Sequence, residues 1–274
     1  MGNLPDDFMF SQSSLQDYAD CARRFELKYL IKQRFPAPEV DDMLAFEHRM
    51  AQGQQFHLLV HQHLLGIPAD LLQQRINDAE VAEWFSTYLK NGLDDVPEKC
   101  YPEKTLTIPL DKFGLLAKVD LLAIDDSNVQ IIDWKTSRYL PKQNQVKNRW
   151  QTRVYRYVVA KGAGYLHAET AITPEQIQMS YWYAAHDGKR LNFPYNHEQM
   201  QQDEADLLQL IHDIDNTSVF PLTDDERQCR FCTYRSLCDR GTQAGSISDY
   251  DEDFDHSDTE IIEINFEQIA EIQF

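Results

Sequence analysis

Asp120, Asp133 and Lys135 have the types and spacing to hold a divalent ion and to polarise a water beside it. They lie in the stretch KVDLLAIDDSNVQIIDWKTSRYL, residues 118–140. Two apolar runs, Leu115–Ile124 and Val129–Ile132, flank Asp125-Asp126-Ser127-Asn128. Apolar, β-branched runs around a polar turn predict a hairpin. A turn centred between Asp126 and Ser127 pairs Ile124 with Val129 and, carried along the ladder, Asp120 with Asp133. Opposed side chains share a face, with Cβ atoms roughly 4.5–5.5 Å apart. Lys135 lies two residues beyond Asp133, so it points to that face too. Carboxylates held that close repel unless a cation sits between them. Hard oxygen ligands suit Mg²⁺ or Mn²⁺. A lysine beside such an ion can orient a water and stabilise charge on a phosphoryl oxygen. A surface hairpin with scattered charges has the same local pattern, so the surroundings must decide.

Several elements must position this hairpin. Leu106, Ile108 and Leu110 alternate with Thr105, Thr107 and Pro109, which predicts a strand over 103–110 leading into it. Glu103, at the start of that strand, could help the site but reads first as a surface residue. A helix over 149–162 carries Gln151 and Tyr155, four apart and therefore neighbours on one face. A helix from about Met43 to Leu65 contains Gly53 and His57. Residues 69–91 read as one amphipathic helix that only packs. At the start, Ser13-Ser14-Leu15-Gln16 has the form of a helix cap. Leu15, Tyr18, Ala22, Phe25 and Tyr29 then follow a helical stripe, with Cys21 beside it. A second hairpin is expected from 176–184 and 190–195 around His186-Asp187-Gly188-Lys189. A last helix spans 198–214.

The net charge is −19, which at first argues against a polyanionic partner. Its distribution changes that reading. Ten of the acids lie between Gly245 and Phe274, where there is no Lys or Arg. Residues 134–161 carry eight basic residues and no acid. A basic stripe beside a candidate metal site is the footprint expected for phosphate binding. No apolar run has the length of a membrane span, and no signal-like segment opens the sequence. With five Cys and no sign of a disulfide framework, the chain is expected to be cytoplasmic, with no membrane partner.

Cys229, Cys232 and Cys238 form a C-x2-C-x5-C array. Three thiolates want a fourth, and Cys21 is the natural partner, leaving Cys100 spare. Four thiolates hold either a [4Fe–4S] cluster or a structural Zn²⁺. Spacing alone does not separate the two.

Asp120 followed by Asp133-Trp134-Lys135 resembles the PD-(D/E)XK nuclease signature. The wording VDLLAID…IIDWKTS is similar to the RecB-type branch of that family. Gln151 and Tyr155, in QTRVY, match its Q-x3-Y motif, and Gly53 with His57 matches G-x3-H. Val119 stands where Pro usually precedes the first Asp, and Ala22 where Pro usually follows the Cys. The resemblance implies an α/β fold of restriction-endonuclease type, a mixed central sheet flanked by helices. The nuclease domain would span 1–244, with a helical insertion at about 43–91 and an acidic tail over 245–274. His57, Asp120, Asp133 and the Trp134 carbonyl would hold Mg²⁺ or Mn²⁺. Lys135 would position the attacking water, and Gln151 and Tyr155 would contact DNA or brace the site. Arg138, Lys142, Lys147, Arg149, Arg153 and Arg156 would line the DNA path. For Cys21, Cys229, Cys232 and Cys238 the resemblance favours a [4Fe–4S] cluster stapling the N- and C-terminal segments, with Zn²⁺ as the alternative. The implied activity is metal-dependent cleavage of DNA, most simply as an exonuclease on single strands or ends in repair or recombination. A CRISPR-adaptation nuclease or a non-catalytic DNA-end binding module are the alternatives. The chain has no G-x4-GK-[ST] helicase motif, and the tail reads by default as a solvated segment, with docking of a helicase or another protein as the alternative.

Overall fold

Two tight turns fold the middle of the chain onto itself. The computed structural model describes residues 4–5, 7–34, 40, 42–167 and 171–247. In chain order, β1 (Met9–Ser11) leads into α1 (Gln12–Asp20), then α2 (Ala22–Phe25) and a π turn over Glu26–Leu30. Three helices follow: α3 (Met43–Leu64), α4 (Ala69–Gln73) and α5 (Ala79–Asn91). The strands β2 (Lys99–Leu110), β3 (Phe113–Ile124) and β4 (Val129–Lys135) come next. After them lie α6 (Gln143–Val146), α7 (Trp150–Gly162), β5 (Ile177–Tyr183), β6 (Lys189–Pro194) and α8 (His197–Asn216). Two single turns, α9 (Arg227–Arg230) and α10 (Arg235–Cys238), carry the late cysteines.

β3 is the spine of one mixed sheet. Along one edge it pairs with β2, antiparallel, from Leu110 opposite Phe113 to Lys99 opposite Ile124. Along its other edge it pairs first with β1 in parallel, then with β4 antiparallel. β4 continues in parallel to β5, and β5 antiparallel to β6. The β3–β4 register is the expected one, with Ile124 opposite Val129 and Leu121 opposite Ile132. Asp125 closes the turn: its carboxylate accepts from the backbone N–H groups of Ser127 and Asn128, both at 2.8 Å.

Each face of the sheet buries a separate apolar cluster. On one face Leu115, Ala117, Val119, Leu122, Ile131, Met179 and Tyr181 pack with Val154 and Val158 of α7. On the other, Leu121, Ile132, Trp134 and Trp182 pack with Phe56 and Leu59 of α3 and with Trp84 and Phe85 of α5. Regular alternation would put Val119 and Leu121 on the same face. They lie on opposite faces, because the alternation slips at Asp120. Across the ladder, Glu103 takes up a left-handed backbone, φ 51°. For a residue with a Cβ that conformation is unusual and re-aims the strand. Neighbouring Pro102–Leu121 and Lys104–Val119 pair normally on either side.

Four local expectations are corrected. The helix expected over 69–91 is two helices, because the Asp78 carboxylate accepts from Glu80 N–H and Val81 N–H and opens α5 afresh. The N-terminal cap is Ser11 with Ser14, two residues earlier than the sequence suggested. The first helix is interrupted at Cys21, whose backbone is extended at φ −161° and ψ 107°. β2 begins at Lys99, so Glu103 lies within the strand and not at its start. Among the described residues no helix is long and apolar enough to cross a membrane.

The Cys21 break is spanned by charge. The Asp17 carboxylate meets Arg24 at 2.7 Å, Lys28 at 3.0 Å and the Tyr29 hydroxyl at 2.9 Å. Burial alone would raise the Asp17 pKa, but Arg24 and then Lys28 outweigh it and hold it below the ordinary range. A carboxylate lowered in the fold stabilises above its unfolded pKa of about 3.9, and that contribution is lost as pH falls through the folded value. Asp17→Asn should therefore lower stability at pH 7 by about 1.5–3 kcal/mol, the usual range for hydrogen bonds to a charged group. The deficit against wild type should shrink as the pH is taken well below that unfolded value. Urea denaturation of both chains at neutral and acid pH measures it.

Candidate metal site

His57, Glu103 and Asp120 converge. One ligand atom from each lies within 4.8 Å of the other two, and His57 Nδ1 stands 3.4 Å from Asp120 Oδ2. Three elements make this possible. α3 delivers His57, and it can approach because Gly53, one turn earlier, passes the end of β4: a Cβ there would sit 3.1 Å from Thr136 Oγ1. Phe56, beside His57, stacks on Trp182 with centroids 6.0 Å apart and fixes the helix rotation. The slipped alternation in β2 and β3 then turns Glu103 and Asp120 toward that helix. Asp120 Oδ2 also accepts the Trp134 N–H at 2.8 Å, joining β3 to β4 just past the last ladder pair. Glu103 is balanced by Lys118 at 3.0 Å.

The electrostatics of this group favour charge. Burial lowers the His57 pKa, but Asp120 overrides it, helped by Asp133 and Glu103, and the net shift is upward. Burial raises the Asp120 pKa, and His57 with the Trp134 N–H brings it below the ordinary carboxylate range. A divalent cation would take the place of the imidazole proton, and the neutral imidazole with two carboxylates is a donor set for such an ion.

Asp133 and Lys135 point the same way, as their spacing predicts, and are 3% and 2% exposed. Lys135 Nζ lies 2.7 Å from Asp133 Oδ2. Gln151 of α7 reads both: its Nε2 donates to Asp133 Oδ1 at 3.0 Å, and its Oε1 accepts from Lys135 at 2.9 Å. Tyr155 receives Gln151 Nε2 at 3.5 Å and Gln12 Nε2 at 3.3 Å on its hydroxyl. Burial raises the Asp133 pKa, and the nearby Asp120 charge adds to that, against the pull of Lys135.

The sequence placed Asp133 with His57 and Asp120; the structure completes their cluster with Glu103, while both Asp133 oxygens are engaged by Lys135 and Gln151. A signal for Glu103 was present: a two-residue turn at Asp111-Lys112 sets the register that brings residue 103 opposite 120. Trp134 meets the site through its backbone N–H, while its ring packs edge-on against Trp182 on the α3 face. Gln12 and Tyr181, whose hydroxyl donates to Gln151 Oε1 at 3.0 Å, were not singled out in the sequence.

Part of the basic stripe is spoken for internally. Arg153 bonds Asp203 at 2.6 Å and Asp206 at 2.5 Å on α8. Arg156 is buried and donates to the carbonyls of Thr152 and Pro194. Lys161 meets Glu204, and Arg138 meets Glu80. Lys142 and Lys147 are exposed around α6, and Arg149 is half-buried at the cap of α7.

Far along the chain, Cys21, Cys229, Cys232 and Cys238 line one cavity together with Arg24 and Arg240. The Arg240 guanidinium reaches Cys229 Sγ at 3.9 Å. Burial raises the thiols of Cys229 and Cys238 and pushes Cys232 up to about 11. Four sulfur donors with two guanidinium groups beside them fit a thiolate-held metal centre, since the arginines would offset the negative charge of the ligated thiolates. Cys100 stands apart on β2, its thiol directed at the Pro97 carbonyl.

A family model described as the PD-(D/E)XK nuclease superfamily matches residues 9–239. No curated protein matches the chain. Solved structures do. One, a Eubacterium rectale protein described as a candidate exonuclease, is 11% identical, covers 89% of this chain and 92% of its own, and superposes with a TM-score of 0.50. Another, SSO0001, is 15% identical, covers 86% of this chain and 89% of its own, with a TM-score of 0.45.

The buried pair makes a prediction that needs no substrate. Lys135→Met leaves the Asp133 carboxylate without its counter-charge. Removing one partner of a buried pair typically destabilises by about 3–5 kcal/mol. A carboxyl raised in the fold binds its proton more tightly there than in the unfolded chain. Stability of the variant should therefore fall as pH rises through the folded value. The expected result is a larger loss at pH 8 than at pH 5, read by urea denaturation; an equal loss at both would show that Asp133 is not the uncompensated group.

Proposed function

The chain belongs to the PD-(D/E)XK nuclease superfamily, and we propose that within it the protein is a divalent-metal-dependent DNA nuclease acting on single strands or ends as an exonuclease. The carrying observation is the pair of adjoining constellations: the His57–Glu103–Asp120 cluster, and the buried Asp133–Lys135 pair held by Gln151. His57, Glu103 and Asp120, with Asp133 and the Trp134 carbonyl beside them, would hold Mg²⁺ or Mn²⁺. Such an ion supplies Lewis-acid polarisation of the phosphate and a more acidic water. Lys135 brings a positive charge to the attacked phosphate and orients the water, and Gln151 keeps its Nζ in place. Tyr155 and Gln12 wall the site on the α1 side. Lys142 and Lys147 offer exposed cationic surface for the DNA backbone, with Arg149 half-buried beside them, and Arg138 can join them by exchanging Glu80 for a phosphate. The preference for single strands or ends, and a place in repair or recombination, follow the likeness of the sequence to the RecB-type branch.

Cys21, Cys229, Cys232 and Cys238 would hold a [4Fe–4S] cluster with a structural role, tying the interrupted first helix to α9 and α10. Residues 248–274, which include most of the acidic tail and its docking role for a helicase or other protein, lie outside the described residues.

The test is anaerobic purification followed by cleavage of end-labelled single- and double-stranded DNA with and without Mn²⁺ or Mg²⁺. Asp120→Ala should lose metal affinity and cleavage together. Lys135→Ala should keep metal binding while cleavage drops about 10²–10³-fold, the usual loss for one transition-state donor. Wild-type rates in Lys135→Ala would remove the assignment of this site. The purified protein should be brown and contain iron and sulfide, and Cys232→Ala should bleach it whereas Cys100→Ala should not. A colourless preparation with stoichiometric zinc would replace the cluster by a zinc site.

A further inference from the structure

We propose that Tyr181 is a positioning residue of this site, acting through Gln151 and Lys135 to hold the ammonium where the attacked phosphate lies. The inference rests on the nuclease reading above and assigns a role to a strand that the reading does not use. Tyr181 is the parallel-ladder partner of Asp133, so the two side chains share a face of the sheet. It is fully buried. Its ring faces the Lys135 ammonium, 4.5 Å from Nζ to the centroid. Its hydroxyl donates to Gln151 Oε1 at 3.0 Å and lies 2.7 Å from Thr152 Oγ1. Thr152 in turn reaches the Val146 carbonyl at 2.7 Å, just ahead of α7.

These contacts fix a choice that the amide could make either way. With Oε1 toward Lys135 and Nε2 toward Asp133, Gln151 satisfies both members of the ion pair. Rotated by half a turn, it would set an NH₂ against an ammonium and a carbonyl oxygen against a carboxylate. Tyr181 adds a second donor on the Oε1 side, so the rotated state would face two donors there. The ring holds the same ammonium from below, a contact worth more when desolvated. A phenylalanine would fill the same space and keep the edge contact with Phe193, whose centroid is 5.4 Å away. The hydroxyl is therefore not needed for packing, and its partners are Gln151 and the residue after it.

The experiment compares Tyr181→Phe with Tyr195→Phe under saturating Mn²⁺. Tyr195 also loses a buried hydroxyl, one that donates to Asp203 at 2.9 Å on the α8 side. Tyr181→Phe should lower kcat about 10–100-fold, the range for groups that orient a site from behind it. KM for DNA and Mn²⁺ affinity should stay near wild type, because neither the ligands nor the backbone contacts change. Tyr195→Phe should lower Tm and leave kcat alone. Wild-type kcat in Tyr181→Phe overturns the proposal whatever its Tm, and so does an equal loss of kcat in Tyr195→Phe. The side-chain amide resonances of Gln151, assigned by their loss in Gln151→Leu, give a readout without cleavage. They should shift in Tyr181→Phe and not in Tyr195→Phe. If wild type fails to cleave, the nuclease reading falls, and these resonances still decide the geometry: no shift in Tyr181→Phe overturns it.

Discussion

A lysine and an aspartate, both nearly without water, sit side by side at the end of β4. Taking two charges out of water costs several kcal/mol per ion, and their attraction offsets this only when the remaining donors and acceptors are also met. That requirement dictates much of the surrounding structure. α7 must dock so that Gln151 meets both groups, β5 must lie parallel to β4 so that Tyr181 reaches the amide, and α1 must close the far side with Gln12. An apolar pair of similar volume would pack here with far less support.

The charge distribution works to the same end. The strongly acidic chain answers most of the cations on α7 with acids of its own: Asp203, Asp206 and Glu204 on α8 meet Arg153 and Lys161. These pairs lock α8 onto α7, and α7 onto the ion pair. The cations left toward solvent are fewer and closer to the β4–α7 connection, at Lys142 and Lys147. A polyanion approaching a molecule of net charge −19 is repelled at long range and attracted only near that patch. Such a surface selects for contact at the site over loose coating of the whole protein.

The hairpin, its register and the shared face of Asp133 and Lys135 were legible, because period-2 alternation around a polar turn leaves little freedom. His57 and Gln151 were legible as motif positions. Glu103 was legible only as the second of two readings, because a left-handed residue inside a strand has no signature in apolar patterning and the alternation that marks β2 is visible only from Thr105 onward. The basic stripe was read as one functional surface because acids on α8, some fifty residues away in sequence, cannot be matched to it without the fold. Asp78 shows the same limit on a local scale: its carboxylate opens a new helix where apolar spacing alone runs straight through. The break at Cys21 was hidden for the opposite reason. The apolar stripe continues in phase across it, since Leu15 and Phe25 still reach the same cluster.

The site belongs to neither face of the sheet. His57 comes from α3, which packs on the cluster around Trp134 and Trp182, whereas Gln151 comes from α7, which packs on the opposite cluster around Val119 and Tyr181. They can address neighbouring carboxylates only because the strand pair slips its alternation at Glu103 and Asp120, turning Asp120 toward α3 while Asp133 stays toward α7. A perfectly regular sheet would set both carboxylates toward one helix layer. The left-handed residue at 103 is disfavoured in itself, at roughly 1–3 kcal/mol for such backbone strain. What it produces is two adjoining constellations, the His57–Glu103–Asp120 cluster on the α3 side and the Asp133–Lys135 pair held by Gln151 on the α7 side. A ligand that touched both constellations would stabilise the union of the two layers over either alone, linking fold and site thermodynamically.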